Sequence, residues 1–261
     1  TLAWNGYRHV EIYYGVSGMG AICHTINPRL FPEQIAYIVN HAEDKYIFMD
    51  LTFVPLIEAI VEHIPNVKGF VIMTDEAHMP ETKLTNVICY ENLLATADDD
   101  YKWPVVDERT ASSLCYTSGT TGRSKGVMLS HRNILSNTIA SHARAPLDDS
   151  DLLLSFLPLA HMYERTGGYY LAMLVGAQVC YARSIALLNA DLLEQRPTAF
   201  FSVPRIFERV QAKLDEQLSK ASPVHRALFK LAVNAGWRRF KYQQGDSRWH
   251  PLQLIAPLTQ K

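Results

Sequence analysis

The stretch CYTSGTTGRSKGVMLSH, residues 115–131, places three glycines, a run of hydroxyl side chains and one lysine between two apolar segments. Glycine allows positive φ angles and lets the backbone come close to a ligand. Where such a loop joins a buried strand to a helix, backbone N–H groups converge on an anion, and hydroxyl and ammonium groups add donors and charge. The stretch therefore predicts a strand–loop–helix junction that binds the phosphates of a nucleotide.

Two other chemistries use similar loops, and the residue order disfavours both. A Walker loop needs glycine and lysine adjacent, followed by Ser or Thr, whereas here Ser124 precedes Lys125 and Gly126 follows it. A nucleophilic serine of the hydrolase type needs the order Gly-x-Ser-x-Gly, which is absent around Ser118. A flexible surface loop without a ligand remains the plain alternative.

Outward from this stretch, short apolar runs alternate with segments of helical period. Strands are predicted at residues 46–50, 67–73, 112–118, 151–158, 177–182 and 198–203. Helices are predicted at residues 31–43, 52–64, 130–143 and 203–218, with Pro32, Ser130 and Pro204 near their starts. Because most strands are apolar throughout, both faces of each sheet should be covered. The alternation predicts an α/β fold with mostly parallel sheets and flanking helices.

The composition excludes several classes of protein. The chain has 261 residues, 48% hydrophobic and 20% charged, with a net charge of −1, so it lacks the basic field typical of nucleic-acid binding. No signal peptide and no apolar run of membrane-spanning length is present. The cysteines are far apart and predict buried free thiols in a reducing cytoplasm: Cys23, Cys89, Cys115 and Cys180. The first residues already follow the fold pattern, so we expect a piece of a longer protein.

YTSGTTGRSKGVMLSHRN, residues 116–133, resembles the phosphate-binding signature of the AMP-forming adenylating enzymes, which include acyl-CoA synthetases and luciferases. The signature reads Ser/Thr-Gly-Ser/Thr-Thr-Gly-x-x-Lys-Gly, and every fixed position is matched. Residues 4–50 resemble the medium-chain branch, and residues 152–165 and 182–214 resemble the long-chain fatty acyl-CoA synthetases. The resemblance covers nearly the whole chain and leaves the acyl chain length open.

The resemblance implies the domain organisation. Residues 1–261 would be a partial AMP-binding N-terminal domain, with an early subdomain at 1–110. Residues 111–261 would carry the phosphate loop and the acyl-pocket region, and the C-terminal lid domain would be absent.

The resemblance also implies a two-step reaction. A fatty carboxylate attacks the α-phosphorus of ATP to give an acyl-adenylate and pyrophosphate, and the thiol of coenzyme A then displaces AMP. Mg²⁺ would bridge the phosphates, and no metal ligand is assigned to this chain. Lys125 and Thr117 would be catalytic. The nucleotide-binding residues would be Thr117, Ser118, Gly119, Thr120, Thr121, Gly122 and Lys125.

Two further segments carry the predicted substrate residues. In the family that this chain resembles, LPLAHMYER lines the acyl pocket and the thiol route, which assigns His161, Met162 and Tyr163 to the substrate. Ser202 and Pro204 are assigned to the substrate because their strand–helix junction would lie near the pocket. The alternatives are that His161 is a capping or core-edge residue and that Pro204 only starts a helix. Nearby aromatic residues are predicted to be core: Tyr169, Tyr170, Phe200 and Phe201.

The predicted partners are ATP, a fatty acid and coenzyme A, with no nucleic acid. Basic residues from Arg205 to Lys241 predict either a solvated helix face or attraction to an anionic membrane surface. A homodimer, and a cytoplasmic protein peripheral to the inner membrane face, are the corresponding hypotheses for assembly and location.

Several family motifs are missing from the chain. No Thr-Glu pair follows the loop, and no ribose-binding aspartate, hinge or terminal catalytic lysine is recognisable near the end of the sequence. The isolated chain is therefore predicted to be inactive as a ligase. The alternative function is a non-catalytic module that binds a nucleotide or an acyl group.

Overall fold

The computed structural model describes residues 1–117 and 123–253. The chain divides into two compact units, Thr1–Phe201 and the segment from Ser202 onward. The described strands belong to the first unit, which also contains most of the buried apolar residues.

One sheet of the first unit is entirely parallel, in the order β2-β3-β4. Its strands are β2 (Tyr46–Met49), β3 (Gly69–Ile72) and β4 (Val87–Cys89). Its neighbours in sequence are α2 (Pro32–His41), a 3₁₀ turn (Leu51–Phe53), α3 (Val54–Ile60), further 3₁₀ turns (Val61–His63 and Glu76–His78) and α4 (Tyr90–Ala95). The apolar face predicted for α2 is confirmed, because Ile35, Ile38 and Val39 are buried in the core beside this sheet.

A second sheet carries the glycine-rich loop, in the order β1-β5-β6. Its strands are β1 (Cys23–Thr25), β5 (Ala111–Thr117) and β6 (Lys125–Ser130), with α1 (Tyr7–Gly18) before β1 and α5 (His131–His142) after β6. β1 runs parallel to β5, and β6 runs antiparallel to it.

The helix predicted at residues 130–143 is confirmed as α5, but it does not follow the loop directly. Residues 125–130 form β6 instead, because the backbone there pairs along β5, with Val127 opposite Cys115. The loop therefore joins two antiparallel strands, and the prediction of a strand–loop–helix junction was wrong. The cap was predicted correctly, since Ser130 Oγ accepts a hydrogen bond from the Asn133 backbone N–H at 3.2 Å and starts α5.

The third sheet pairs β7 (Leu152–Ser155) with β8 (Gln178–Tyr181) in parallel. Between them run α6 (Met162–Glu164), a π-helical segment (Arg165–Leu171) and α7 (Ala172–Val175), and α8 (Leu188–Gln195) follows β8. The strand predicted at 198–203 was wrong. Only Ala199 forms a bridge, to Leu153, and the hydrogen bonds of Thr198 and Ala199 to β7 do not extend into a ladder.

The second unit is helical where it is described. It contains α9 (Pro204–Lys220) and α10 (Pro223–Gln243), and Pro204 occupies the start of α9 as predicted. α10 lay outside the predicted helices.

The α/β fold with mostly parallel sheets is confirmed, since β5–β6 is the exception among the described strand pairings. The four cysteines are free thiols; Cys23, Cys89 and Cys115 are buried and Cys180 is half-buried. None of the helices in the described ranges combines the length and the apolar character needed to cross a bilayer.

Candidate active site

The two ends of the glycine-rich loop meet at the tip of the β5–β6 hairpin. Thr117 is the last residue of β5, Lys125 is the first of β6, and the two are register partners. Residues directly opposite in an antiparallel pair project to the same side of the sheet. Both are exposed to solvent. The structure therefore brings Thr117 and Lys125 together, whereas Ser118, Gly119, Thr120, Thr121 and Gly122 lie outside the described residues.

This hairpin tip lies at the carboxyl edge of a parallel strand pair. β1 and β5 run in the same direction, with Thr25 opposite Cys115, so Asn27 and Thr117 follow at the same edge. Ligands of α/β proteins bind beyond the carboxyl ends of parallel strands. Asn27 begins a turn in which its Oδ1 accepts a hydrogen bond from the Arg29 backbone N–H at 3.0 Å.

His161 comes to this edge from a distant part of the sequence. It is the residue before α6, its Nε2 lies 3.5 Å from Asn27 Nδ2, and its side chain makes no capping hydrogen bond. Partial burial lowers the pKa of His161, and the positive charge of Arg29 lowers it further. Its imidazole is therefore neutral at physiological pH, able to donate from one nitrogen and accept at the other.

The turn that carries His161 is fixed to β1 by a buried arginine. Arg165 donates from Nε to the Leu159 carbonyl at 3.1 Å and from Nη2 to Thr25 Oγ1. Its guanidinium also stacks on the Tyr13 ring, 4.9 Å from the centroid. Because Thr25 is the last residue of β1, these contacts hold the turn at the strand edge that leads to Asn27.

Beside Arg165, a buried carboxyl group holds the same turn to β7. Glu164 Oε1 accepts a hydrogen bond from Ser155 Oγ at 2.6 Å, and Asn5 Nδ2 donates to the same hydroxyl at 2.8 Å. Burial raises the pKa of Glu164 to about 7, although the Ser155 hydroxyl opposes part of the shift. Glu164 therefore changes its charge close to neutral pH.

A cavity of about 210 Å³, here called the α6 cavity, lies between α5 and the start of the π-helical segment. Met162 and Tyr163 line it, so two of the predicted substrate residues share one cavity. The other lining residues are Asn137, Ser141, Thr166, Gly167 and Phe201.

The remaining predicted substrate residues do not line this cavity. His161 faces Asn27 instead. Ser202 and Pro204 belong to the second unit, where Pro204 is the first residue of α9. Phe201 was predicted to be core, and the signal that favoured a site role was its position next to Ser202 at the end of the run TAFFSV.

Comparison with known proteins agrees with the predicted family and fold. Residues 1–239 match the family described as AMP-binding enzyme, and the chain belongs to that family. It is 49% identical over 233 residues to the medium-chain-fatty-acid–CoA ligase of Ectopseudomonas oleovorans, covering 87% of this chain and 42% of that protein. It is 48% identical over 181 residues to the 3-methylmercaptopropionyl-CoA ligase of Ruegeria lacuscaerulensis, covering 69% of this chain and 33% of that protein. The chain thus spans well under half the length of these relatives.

Among solved structures, the fold is similar to the crystal structure of the anthranilate CoA ligase AuaEII in complex with anthranoyl-AMP. The TM-score is 0.69 at 22% identity, and the match covers 77% of this chain and 39% of that chain. At this identity the similarity supports the fold, as expected for the family.

The described residues form no cluster of ligating side chains that would hold a metal without its substrate. Mg²⁺ prefers carboxylate oxygens together with phosphates of the substrate. Within residues 1–117 and 123–253, no group of three or more His, Cys, Asp or Glu side chains is arranged to hold an ion. No step of a reaction is therefore assigned to a metal bound by this chain.

Proposed function

We propose that this chain is the phosphate-binding and acyl-binding part of a medium- or long-chain fatty-acid–CoA ligase that forms an acyl-adenylate from ATP. The observation that carries the proposal is the edge of the β1–β5 pair, where the hairpin tip with Thr117 and Lys125 shares the carboxyl ends of the strands with Asn27 and His161. The names of the two curated relatives, both CoA ligases, support the reaction class.

In the proposed first step, a carboxylate oxygen of the acid forms a bond to the α-phosphorus of ATP, and the bond to the bridging oxygen of pyrophosphate breaks. Lys125 and Thr117 hold the leaving pyrophosphate together with Ser118, Gly119, Thr120, Thr121 and Gly122, which lie outside the described residues. An ammonium group and backbone donors stabilise the charge that builds on the leaving group. Positioning and charge neutralisation are the main catalytic effects.

In the proposed second step, the sulfur of coenzyme A attacks the acyl carbon and AMP leaves, with loss of the thiol proton. His161, Met162 and Tyr163 would contact the acyl group and the thiol route, and Ser202 and Pro204 would contribute from the start of the second unit. Because His161 is neutral, it can donate a hydrogen bond to the acyl carbonyl without trapping the anionic adenylate as an ion pair.

We further propose that residues 1–261 form a partial N-terminal domain, with the loop and pocket in 111–261 and the lid domain elsewhere. The coverage of 42% of a relative that this chain matches supports this organisation. ATP and coenzyme A are then substrates of the longer protein, and Mg²⁺ is its cofactor. A module that binds nucleotide or acyl group without turnover is the second candidate, which the missing family motifs favour for the isolated chain.

A product assay tests the proposed function. A protein that contains this chain and extends beyond it should convert ATP and a fatty acid to AMP and pyrophosphate, and should exchange labelled pyrophosphate into ATP. The 261-residue chain alone should exchange none above background. Release of ADP by the longer protein, or robust exchange by the chain alone, would contradict this proposal.

For the partners, we propose peripheral binding to an anionic membrane through the second unit. Residues 202–253 carry ten Lys or Arg against four Asp or Glu. Trp237 lies with its ring under Lys241, at 5.3 Å, and is exposed to solvent. Basic and aromatic side chains together favour an anionic interface. Co-sedimentation with phosphatidylserine vesicles that is lost at high salt is the expected result; a homodimer stays a prediction.

A further inference from the structure

Two of the residues that line the α6 cavity, a glycine and a phenylalanine, are in close contact. A Cβ atom at Gly167 would lie 2.6 Å from ring atoms of Phe201, so only a glycine lets this ring rest on the helix. Gly167 is buried in the π-helical segment, where the backbone position is set by the surrounding turn. The Phe201 ring is therefore seated directly against the helix backbone.

A second aromatic side chain holds the Phe201 ring in this place. Tyr163 meets Phe201 edge to face, with ring centroids 5.8 Å apart and an interplanar angle of 83°. Edge-to-face pairs are favoured over face-to-face pairs by the charge distribution of the rings. Tyr163 itself is 54% exposed, and the rings of Tyr163 and Phe201 both line the α6 cavity.

The size of the cavity sets a limit on what it can hold. An engineered apolar cavity of ~150 Å³ in another protein accommodates benzene, with its six carbons. By proportion, the volume of about 210 Å³ accommodates about eight carbon-sized groups. A longer chain would exceed the volume that these residues line.

From this geometry we infer that Phe201, seated on Gly167, determines the acyl chain length and restricts this protein to medium-chain acids of about eight carbons. The inference rests on the proposed ligase function and decides the chain length that the resemblance left open. Phe201 is a specificity-determining residue here and takes no part in the transfer of the acyl group.

The test measures binding of straight-chain carboxylates, from four to fourteen carbons, to the 261-residue chain by calorimetry below their micelle concentrations. Each methylene that enters the cavity should improve the affinity about fourfold, and the gain should stop at about eight carbons. In Phe201→Ala the limit should move to about twelve carbons, because partial relaxation leaves less than the volume of a six-carbon ring. An unchanged limit in a folded Phe201→Ala chain would overturn the inference.

A matched control and a double variant separate this role from general packing. Phe200→Ala removes the neighbouring ring, which packs toward Phe156 with centroids 6.2 Å apart, and should leave the limit at about eight carbons. Gly167→Ala should weaken octanoate binding about tenfold by displacing the Phe201 ring. Gly167→Ala combined with Phe201→Ala should restore binding, with the longer limit. A folded Gly167→Ala chain that keeps the original affinity for each chain length would contradict a role for the contact between Gly167 and Phe201.

The outcomes also separate this inference from the proposed function. If the unmodified chain binds the acids but Phe201→Ala keeps the same limit, the length assignment fails and the ligase proposal stands. If the unmodified chain binds none of the acids, the length assignment fails, and the product assay on the longer protein decides the ligase proposal separately.

Discussion

The hairpin tip and the turn at residues 159–165 lie at one edge of the same sheet, but they are held in opposite ways. Thr117 and Lys125 are exposed and placed by local strand pairing. Glu164 and Arg165 are buried, and the contacts of Arg165 with Thr25 and Tyr13 reach the first part of the chain. A charge in the tip is free to meet a ligand, whereas the charged groups in the turn hold the structure together.

The largest effect is expected for Arg165→Met, which should lower the free energy of unfolding by roughly 4 kcal/mol. The substitution leaves the Leu159 carbonyl and the Thr25 hydroxyl without their buried donor. Urea denaturation of the purified chain measures the change. The matched control is Arg132→Met, because Arg132 is exposed and its partner Glu108 is on the surface. Equal free energies of unfolding for the two variants would contradict the stabilising role of the buried Arg165.

The next effect concerns the pH dependence of stability. The folded chain keeps the Glu164 proton up to about pH 7, whereas an ordinary glutamate releases it near 4.5. Between these values the unfolded chain binds fewer protons, so stability falls as the pH rises through this window. Glu164→Gln should therefore be more stable than the unmodified chain by ~3 kcal/mol at pH 8 and about equal at pH 4.

Unfolding midpoints at pH 4, 6 and 8 check this expectation. Glutamine is the suitable replacement, because it can keep a hydrogen bond to Ser155 and cannot ionise. Asp75→Asn is a useful comparison. The pKa of Asp75 is lowered by its hydrogen bond with His78, so the titration of Asp75 makes stability rise with pH, whereas that of Glu164 makes it fall. Parallel pH profiles for Glu164→Gln and the unmodified chain would show that Glu164 is not the titrating group.

The smallest effect on stability, and the sharpest on ligand binding, is expected for Lys125→Ala. Lys125 is exposed at the start of β6, so the free energy of unfolding should change by less than ~0.5 kcal/mol. ATP affinity should fall about tenfold, or ~1.4 kcal/mol, because the proposed function places the ammonium group against the phosphates. Lys220→Ala in the second unit, where Lys220 pairs with Glu216, is the control and should keep its affinity. Unchanged ATP affinity in Lys125→Ala would contradict a role of Lys125 in phosphate binding.

Much of the first unit could be predicted because its signals are local. The apolar face of α2, the cap at Ser130 and the apolar strand at Tyr46–Met49 follow from residues a few positions apart. The strand Lys125–Ser130 was missed, because it forms by pairing with β5 and not through a pattern of its own residues.

The candidate site likewise contains a local motif that the sequence predicted and a contact between distant residues that it did not. The glycines, hydroxyls and lysine of residues 116–126 carry the family signature in one continuous stretch, and the resemblance found them from the sequence. Phe201 and Gly167 were missed, because their contact joins residues 34 positions apart and the apolar run TAFFSV favoured core, although Phe201 lies next to Ser202.

By itself, the sequence determined the α/β class and the family and predicted the phosphate loop, because these depend on periodicity and on a short run of residue types. The tertiary structure alone decided that the loop joins the strands of a hairpin, that Arg165 ties a distant turn to β1, and that Phe201 packs on Gly167 beside a cavity. The physical reason is that pairing, burial and cavity shape arise only when segments far apart in the chain come into contact.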